Sequence, residues 1–332
     1  MRKLFLVLLL GLVVFTYADA PIYGYFWCRY TFENPTTPEL EEGEEHEHYF
    51  SIERGYIRWK TKTEPVSFSG TIDVSSKADA TNASDWNIRL KYAQADWTLP
   101  YIGDYLPDTK LMLGLQKVYF GIMDIWEYPI IEKNLEEVEK KTNSADLGIG
   151  LHGLFPEGYG EFAIQVFNGN GYTHVVETNS NKALCGNVAL IPLPGVMLKG
   201  SIWYADQPVL IDSIVEQVDQ RRYAGLVRVI YGPVTVIGEY LGTKDHETNG
   251  MGYMGFAEVA LTKTFSVLGR FDYFDKNTDE EAENDAYNRI FGGFNYRISK
   301  TLLTQVNYQL KTFEDEEKDS EDKIQIQFKY SY

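Results

Sequence analysis

Lysines and arginines recur in this sequence at even spacings, inside stretches where apolar and polar residues alternate: Arg54, Arg58 and Lys60; Arg89 and Lys91; Arg222 and Arg228; Arg289 and Arg297; Lys323 and Lys329. Residues an even number apart share one face of an extended strand, so each group would present its cations together. Lys199, Arg270 and Lys311 fall on the polar side of their own alternations. The chemistry this suggests is electrostatic, because a planar guanidinium donates two parallel hydrogen bonds to a carboxylate or phosphate. The same rule of alternation puts only Asp73, Glu161, Glu239, Glu258 and Asp272 on the faces that carry these cations.

Covalent and metal chemistry has weaker support. The sequence contains no Gly-x-Ser-x-Gly elbow, His-Glu-x-x-His pair, phosphate loop or Cys-x-x-Cys motif, so neither an enzyme nor a cofactor is expected. His46-Glu47-His48 is the one spacing that resembles a metal site, and a solvated acidic loop is the better explanation of it. Cys28 and Cys185 stand far apart and read as packing residues. A net charge of −17 argues against a nucleic-acid partner.

A period of two runs through nearly the whole chain. Candidate strands cover 21–32, 48–61, 65–75, 86–97, 109–121, 144–153, 158–167, 183–191, 195–205, 221–231, 233–242, 251–262, 264–274, 286–298, 301–313 and 322–332. Their connections alternate between short turns, such as FPEG, PLPG and YGP, and long polar segments, such as SSKADATNASD and DKNTDEEAEND. DQPVLIDSIVEQVDQ and GTKDHETNG belong to the long set. An antiparallel meander with short turns at one end and long loops at the other predicts a closed transmembrane β-barrel of about sixteen strands. A soluble sandwich or propeller is the alternative, but such folds seldom sort their loops by length. Tyr204, Tyr231, Tyr240, Tyr273, Tyr296 and Tyr308 near strand ends suit the aromatic girdles of a barrel.

Residues 1–20 carry two early basic residues, an apolar run from Leu4 to Phe15 and small residues after it. This reads as a signal peptide cleaved after Ala18, leaving Asp19 to Tyr332 as a single barrel domain. In a barrel the apolar member of each alternation faces lipid, and Arg54, Arg58, Arg89, Lys91, Lys199, Arg222, Arg228, Arg270, Arg289, Arg297, Lys311, Lys323 and Lys329 line the bore. Rings of one charge in a narrow channel select the opposite ion, so small anionic solutes are the expected partners. Lipid also forces lysine and arginine inward whatever a channel carries, at about 2–4 kcal/mol for each one misplaced at the midplane. Only the shortage of inward acids goes beyond that.

One long connection differs from the others. Ile122–Ser144 carries Ile131, Leu135 and Val138 at helical spacing, an apolar stripe that needs a surface to pack on. Folding into the barrel would supply that surface, with Trp126, Glu136, Glu137, Lys140 and Lys141 as constriction candidates; an external cap or oligomer contact is the alternative. Acidic runs at Glu39–Glu47, Asp279–Asp285 and Glu314–Asp322 suit either divalent cations bridging lipopolysaccharide or a plainly solvated rim.

The segment KYAQADWTLPYIGDYLPDTKLMLGLQKVYFGIMDIWE resembles the phosphate-selective porin family, in which a Gly-Gln-x-Lys-x-x-Phe-Gly-like stretch follows a proline-containing turn; here it reads Gly114-Leu115-Gln116-Lys117-Val118-Tyr119-Phe120-Gly121. The resemblance implies a sixteen-stranded homotrimer whose third long loop constricts the pore, an arginine ladder, and an aromatic C-terminal residue, here Tyr332, read by the barrel-assembly machinery. Lys117 falls on the apparent lipid face, which calls for a bulge or a subunit neighbour. The expected function is passive diffusion of small hydrophilic solutes with anion preference. A non-channel barrel acting as a surface adhesin or anchor through its acidic loops is the alternative, and an outer-membrane hydrolase a third reading.

Overall fold

The computed structural model describes residues 21–33, 47–76, 86–103, 105–173, 181–211, 214–279 and 284–332. The signal-peptide reading, His46 and much of the acidic runs therefore lie outside the described residues. Sixteen antiparallel strands follow one another around a closed barrel: β1 (Ile22–Glu33), β2 (Glu47–Thr63), β3 (Val66–Ser75), β4 (Asn87–Thr98), β5 (Lys110–Lys117), β6 (Ala145–Leu154), β7 (Gly160–Phe167), β8 (Ala183–Leu193), β9 (Val196–Ile211), β10 (Ile214–Tyr231), β11 (Val234–Asp245), β12 (Thr248–Ala260), β13 (Phe265–Asp275), β14 (Tyr287–Arg297), β15 (Leu302–Phe313) and β16 (Glu321–Ser331). A single short helix, α1 (Leu135–Val138), sits among the described residues between β5 and β6.

Closure depends on the two chain ends. β16 pairs with β1 from Ser331↔Tyr25 to Lys323↔Glu33, and Gly24 and Tyr332 exchange two backbone hydrogen bonds of 3.1 Å. A side chain at position 24 would collide with the Tyr56 carbonyl oxygen at 1.8 Å, so the seam is built on glycine. Every strand edge is thereby paired, as lipid requires of a spanning sheet.

The alternation sorts the faces as the sequence predicts on most strands. On β9, Leu198, Ile202 and Tyr204 are exposed outward whereas Met197, Lys199, Ser201 and Trp203 are buried inward. On the outer face Tyr223, Tyr240, Tyr253 and Tyr273 form a continuous row of rings with centroids 5.3–6.1 Å apart, part of an aromatic girdle. Two expected long loops are strands instead. β9 and β10 pair up to Ile211↔Ile214, and β11 and β12 up to Asp245↔Thr248 across His246 at φ 59°. The β-branched residues Val209, Ile211, Ile214 and Val215 favour extended backbone, which prolongs the hairpin beyond the expected boundary.

Strand β5 is shorter than its pattern suggests. After Lys117 the chain leaves the wall, and its amide groups bond to inward-facing side chains: Tyr119 N–H donates to Gln165 Oε1 (2.9 Å) and Gly121 N–H to Ser201 Oγ (3.0 Å). Gly121 has φ 51°, and a side chain there would strike the Glu136 carboxylate.

Candidate functional site

Residues 118–144 contact inward-facing residues from both sides of the barrel. Ile122, Trp126 and Ile130 pack with Leu226, Ile237, Met254, Phe256, Leu268 and Phe291. Val118, Phe120, Met123 and Leu135 pack with Phe167, Trp203, Leu241, Phe274 and Tyr287. Burying side chains of this size contributes about 1.5–3 kcal/mol each. α1 is capped by Asn134, whose side chain accepts from Glu137 N–H (2.9 Å) and donates to the Glu137 carboxylate (3.1 Å).

Polar contacts complete the attachment. Asn307 Oδ1 accepts from Ile131 N–H (2.9 Å), Asn295 Nδ2 donates to Pro129 O (2.9 Å), and Gln305 Nε2 donates to Tyr128 O (3.2 Å). Arg270 holds Asp272 through two hydrogen bonds of 2.7 and 2.8 Å and donates a third, of 2.5 Å, to Lys133 O. Arg289 lies 3.7 Å from Glu132, Glu139 and Asp272, and donates to Tyr287 Oη (2.7 Å). Against the opposing effect of its burial, Lys323 and then Arg289 and Arg270 pull the Glu132 carboxyl down to about 2. Lys199 pairs with Asp124 and Arg222 with Asp245 (2.7 Å).

Open space remains on the other side. Two cavities, ≈ 520 and ≈ 490 Å³, lie between the loop and the β16–β1–β2–β3–β4 wall, and both are lined by Arg54 and Tyr128. Arg54 donates to Tyr128 Oη at 2.7 Å, and its guanidinium lies 5.3, 5.0 and 4.9 Å from the rings of Trp27, Tyr56 and Tyr128. The larger cavity, towards the short turns, is also lined by Arg58, Lys91, Lys117 and Lys329 against Asp124, Glu127 and Glu137. The smaller, towards the long loops, is lined by Arg29, Arg89, Lys133 and Lys140 against Glu53, Asp73 and Glu132. Each therefore has two more cations than carboxylates among the described residues.

This divides the expected basic lining. Arg54, Arg58, Arg89, Lys91 and Lys329 line the cavities. Lys199, Arg222, Arg270 and Arg289 also point inward, but they are buried in ion pairs and line neither of these two cavities. Burial without a partner would be prohibitive for such cations, so each is matched to a carboxylate. Arg228, Arg297, Lys311 and Lys323 line neither cavity; Lys311 lies 3.7 Å from Glu321, and Arg297 ends β14 as an exposed residue.

The constriction candidates divide in the same way. Trp126 and Glu137 line the larger cavity and Lys140 the smaller. Glu136 is fully buried against Glu239, and Lys141 is held by Asp245 at 2.8 Å, so neither borders the open path. Burial raises the Glu136 carboxyl above the ordinary carboxylate range. Lys117 needs no bulge: the β5–β6 register continues to Lys117↔Ala145, and its amine donates to Asp124 O in the loop.

The sequence reading missed Arg29, Tyr128 and Lys133, and it placed Lys117, which lines the larger cavity, on the lipid face. Arg29 was hidden because β1 has large apolar residues on both faces, so alternation alone cannot orient it; its register opposite Gln327, whose side-chain oxygen it binds at 2.8 and 3.0 Å, reveals the face.

No family model and no curated protein matches the sequence. Solved structures do match. OmpF of Salmonella typhi, in complex with daunomycin, has a TM-score of 0.67 at 12% identity, covering 95% of this chain and 98% of its own. The anion-selective porin from Comamonas acidovorans gives 0.61 at 11% identity, with 95% and 100% covered, and OprB of Pseudomonas putida 0.67 at 7%, with 96% of each. At these identities the likeness is one of architecture: the chain has the sixteen-stranded fold of outer-membrane porins.

Proposed function

We propose that the protein is a porin of the bacterial outer membrane, which passes small hydrophilic solutes by passive diffusion and prefers anions. The observation that carries this reading is the pair of cavities meeting at Arg54 and Tyr128, each with an excess of cations over carboxylates. Fixed charge in a narrow, low-dielectric passage raises the local concentration of the opposite ion. On this reading the 118–144 segment is the constricting loop, and selectivity belongs to the wall that it leaves uncovered. The sequence resemblance over Lys91–Glu127 supports descent from the phosphate-selective porin family and a homotrimeric assembly, while the acidic runs suit either divalent cations bridging lipopolysaccharide or a plainly solvated rim. The extended pairing of β9–β12 beyond the barrel girdle gives the adhesin reading less loop to work with, and a channel rather than a catalyst is the function proposed.

Reconstitution in a planar bilayer under a potassium chloride gradient tests this directly. Discrete conductance steps and a reversal potential displaced toward that of chloride are expected. A silent barrel, or one selective for potassium, would overturn the reading.

A further inference from the structure

The wall of the larger cavity has a pattern that bulk anion conduction does not require. Across β16, β1 and β2 the inward residues form registered rows: Lys329, Trp27 and Arg54 in one, where Trp27 borders the smaller cavity, Ser331, Tyr25 and Tyr56 in the next, then Tyr23 opposite Arg58. Cations and rings interleave between the rows. Lys329 lies 4.9 Å from the centre of the Tyr25 ring and 5.3 Å from that of Trp27, while Arg58 lies 5.0 Å from Tyr25 and 4.7 Å from Tyr56. Tyr25 and Trp27 stack with centroids 5.1 Å apart and planes inclined by 10°. Trp126 and Tyr128 of the loop line the same cavity.

The lattice supplies mainly hydrogen-bond donors. Lysine, arginine and indole nitrogen donate and do not accept. Neither Arg58 nor Lys329 has a carboxylate within 4.0 Å among the described residues, and Trp27 Nε1 and Tyr56 Oη have no protein partner. A hydrated inorganic anion gains nothing from the rings, and a neutral sugar leaves the charges of Arg58 and Lys329 unused. A flat apolar body carrying an acceptor-only anionic group uses both parts. A cavity of ≈ 520 Å³ also lies within the size range of small-molecule sites.

We propose that this wall is a recognition subsite for aromatic carboxylates: the anionic group meets Arg58 and Lys329 while the ring stacks against Tyr25. This deepens the anion-conducting reading and rests on it. The test uses the full chain in planar bilayers, with benzoate and cyclohexanecarboxylate, which differ in the π-system of the ring, added in turn on the short-turn side. Benzoate should reduce the chloride current at concentrations about tenfold lower than its saturated counterpart, the factor that ~1.4 kcal/mol of ring stacking gives. Tyr25→Leu should remove the difference between the two acids, and Arg58→Gln should weaken the effect of both; heat-resistant compact migration on a gel verifies that each variant is folded. Equal block by both acids, or equal block by glucose, would overturn the subsite while anion selectivity stands. A reversal potential showing cation selectivity would overturn the anion reading and the subsite together.

Discussion

The two halves of the inner wall use the same residue types for opposite ends. On β9–β14, Lys199, Arg222, Arg270 and Arg289 are matched to carboxylates and buried, and between them Leu226, Ile237, Met254, Phe256 and Phe291 hold the loop by packing. On β16 and β1–β4, Arg54, Arg58, Arg89, Lys91 and Lys329 border open space with tyrosines and tryptophan beside them. An inward arginine is therefore not by itself a selectivity residue. What separates fastener from filter is whether the cation is sealed against its carboxylate, from strand or loop, or still borders a cavity, as Arg54 does although Asp73 lies 3.9 Å away.

Releasing the loop should have the largest effect. Ile130 is fully buried in the apolar cluster, so Ile130→Asp places an unpaired charge there at a cost of several kcal/mol. Single-channel conductance should rise about twofold or more as the cavities merge with the freed lumen, taking the loop to be the main obstruction. Unchanged conductance in a folded variant would show that the loop is not the constriction.

Next comes the fastening network. Arg270→Ala leaves buried Asp272 with only Arg289 at 3.7 Å in place of its two direct hydrogen bonds, at a cost of up to about 3–5 kcal/mol. The temperature at which the folded barrel loses compact gel migration should drop clearly, with ion selectivity preserved. The filter side should show the reverse. Removing a unit charge about 4 Å from a passing ion alters its energy by ~1 kcal/mol even in bulk water, so Arg54→Gln should lower the anion-to-cation permeability ratio about fivefold. Arg289→Gln, inside the fastened half, should change that ratio far less. Equal shifts for both would erase the distinction between the halves.

The smallest effect concerns Glu136. Its carboxyl is raised by burial above the ordinary value of 4.5, so the folded state holds a proton that the unfolded chain releases. The contribution of Glu136 to stability should be fully present below pH 4.5 and be lost as pH rises through the window between the unfolded and the raised folded value. Glu136→Gln should flatten that dependence in thermal melts across pH 4–8, and an unaltered slope would mean that Glu136 is not the group responsible.

The bore was legible only where one face is plainly apolar. β9 and β14 orient themselves, but β1 carries Tyr23, Tyr25 and Trp27 opposite Ile22 and Phe26, so its lumenal face has no hydropathy signature. Apolar inward residues on β10–β14 were a readable sign of a covering segment, since a water-filled wall has no use for Leu226 or Phe256. Ile131 and Leu135 were the matching sign on the loop.

Local pattern by itself determined the barrel, its strand number, the seam-forming C-terminal strand and the inward direction of most cations, because a two-residue period and turn chemistry are properties of neighbours in sequence. Only the tertiary structure decided which cations are neutralised. Joining Arg270 to the Lys133 carbonyl, or Lys199 to Asp124, depends on where a loop from residues 118–144 meets strands more than 70 residues away, and Coulomb energy follows distance in space rather than position in the chain.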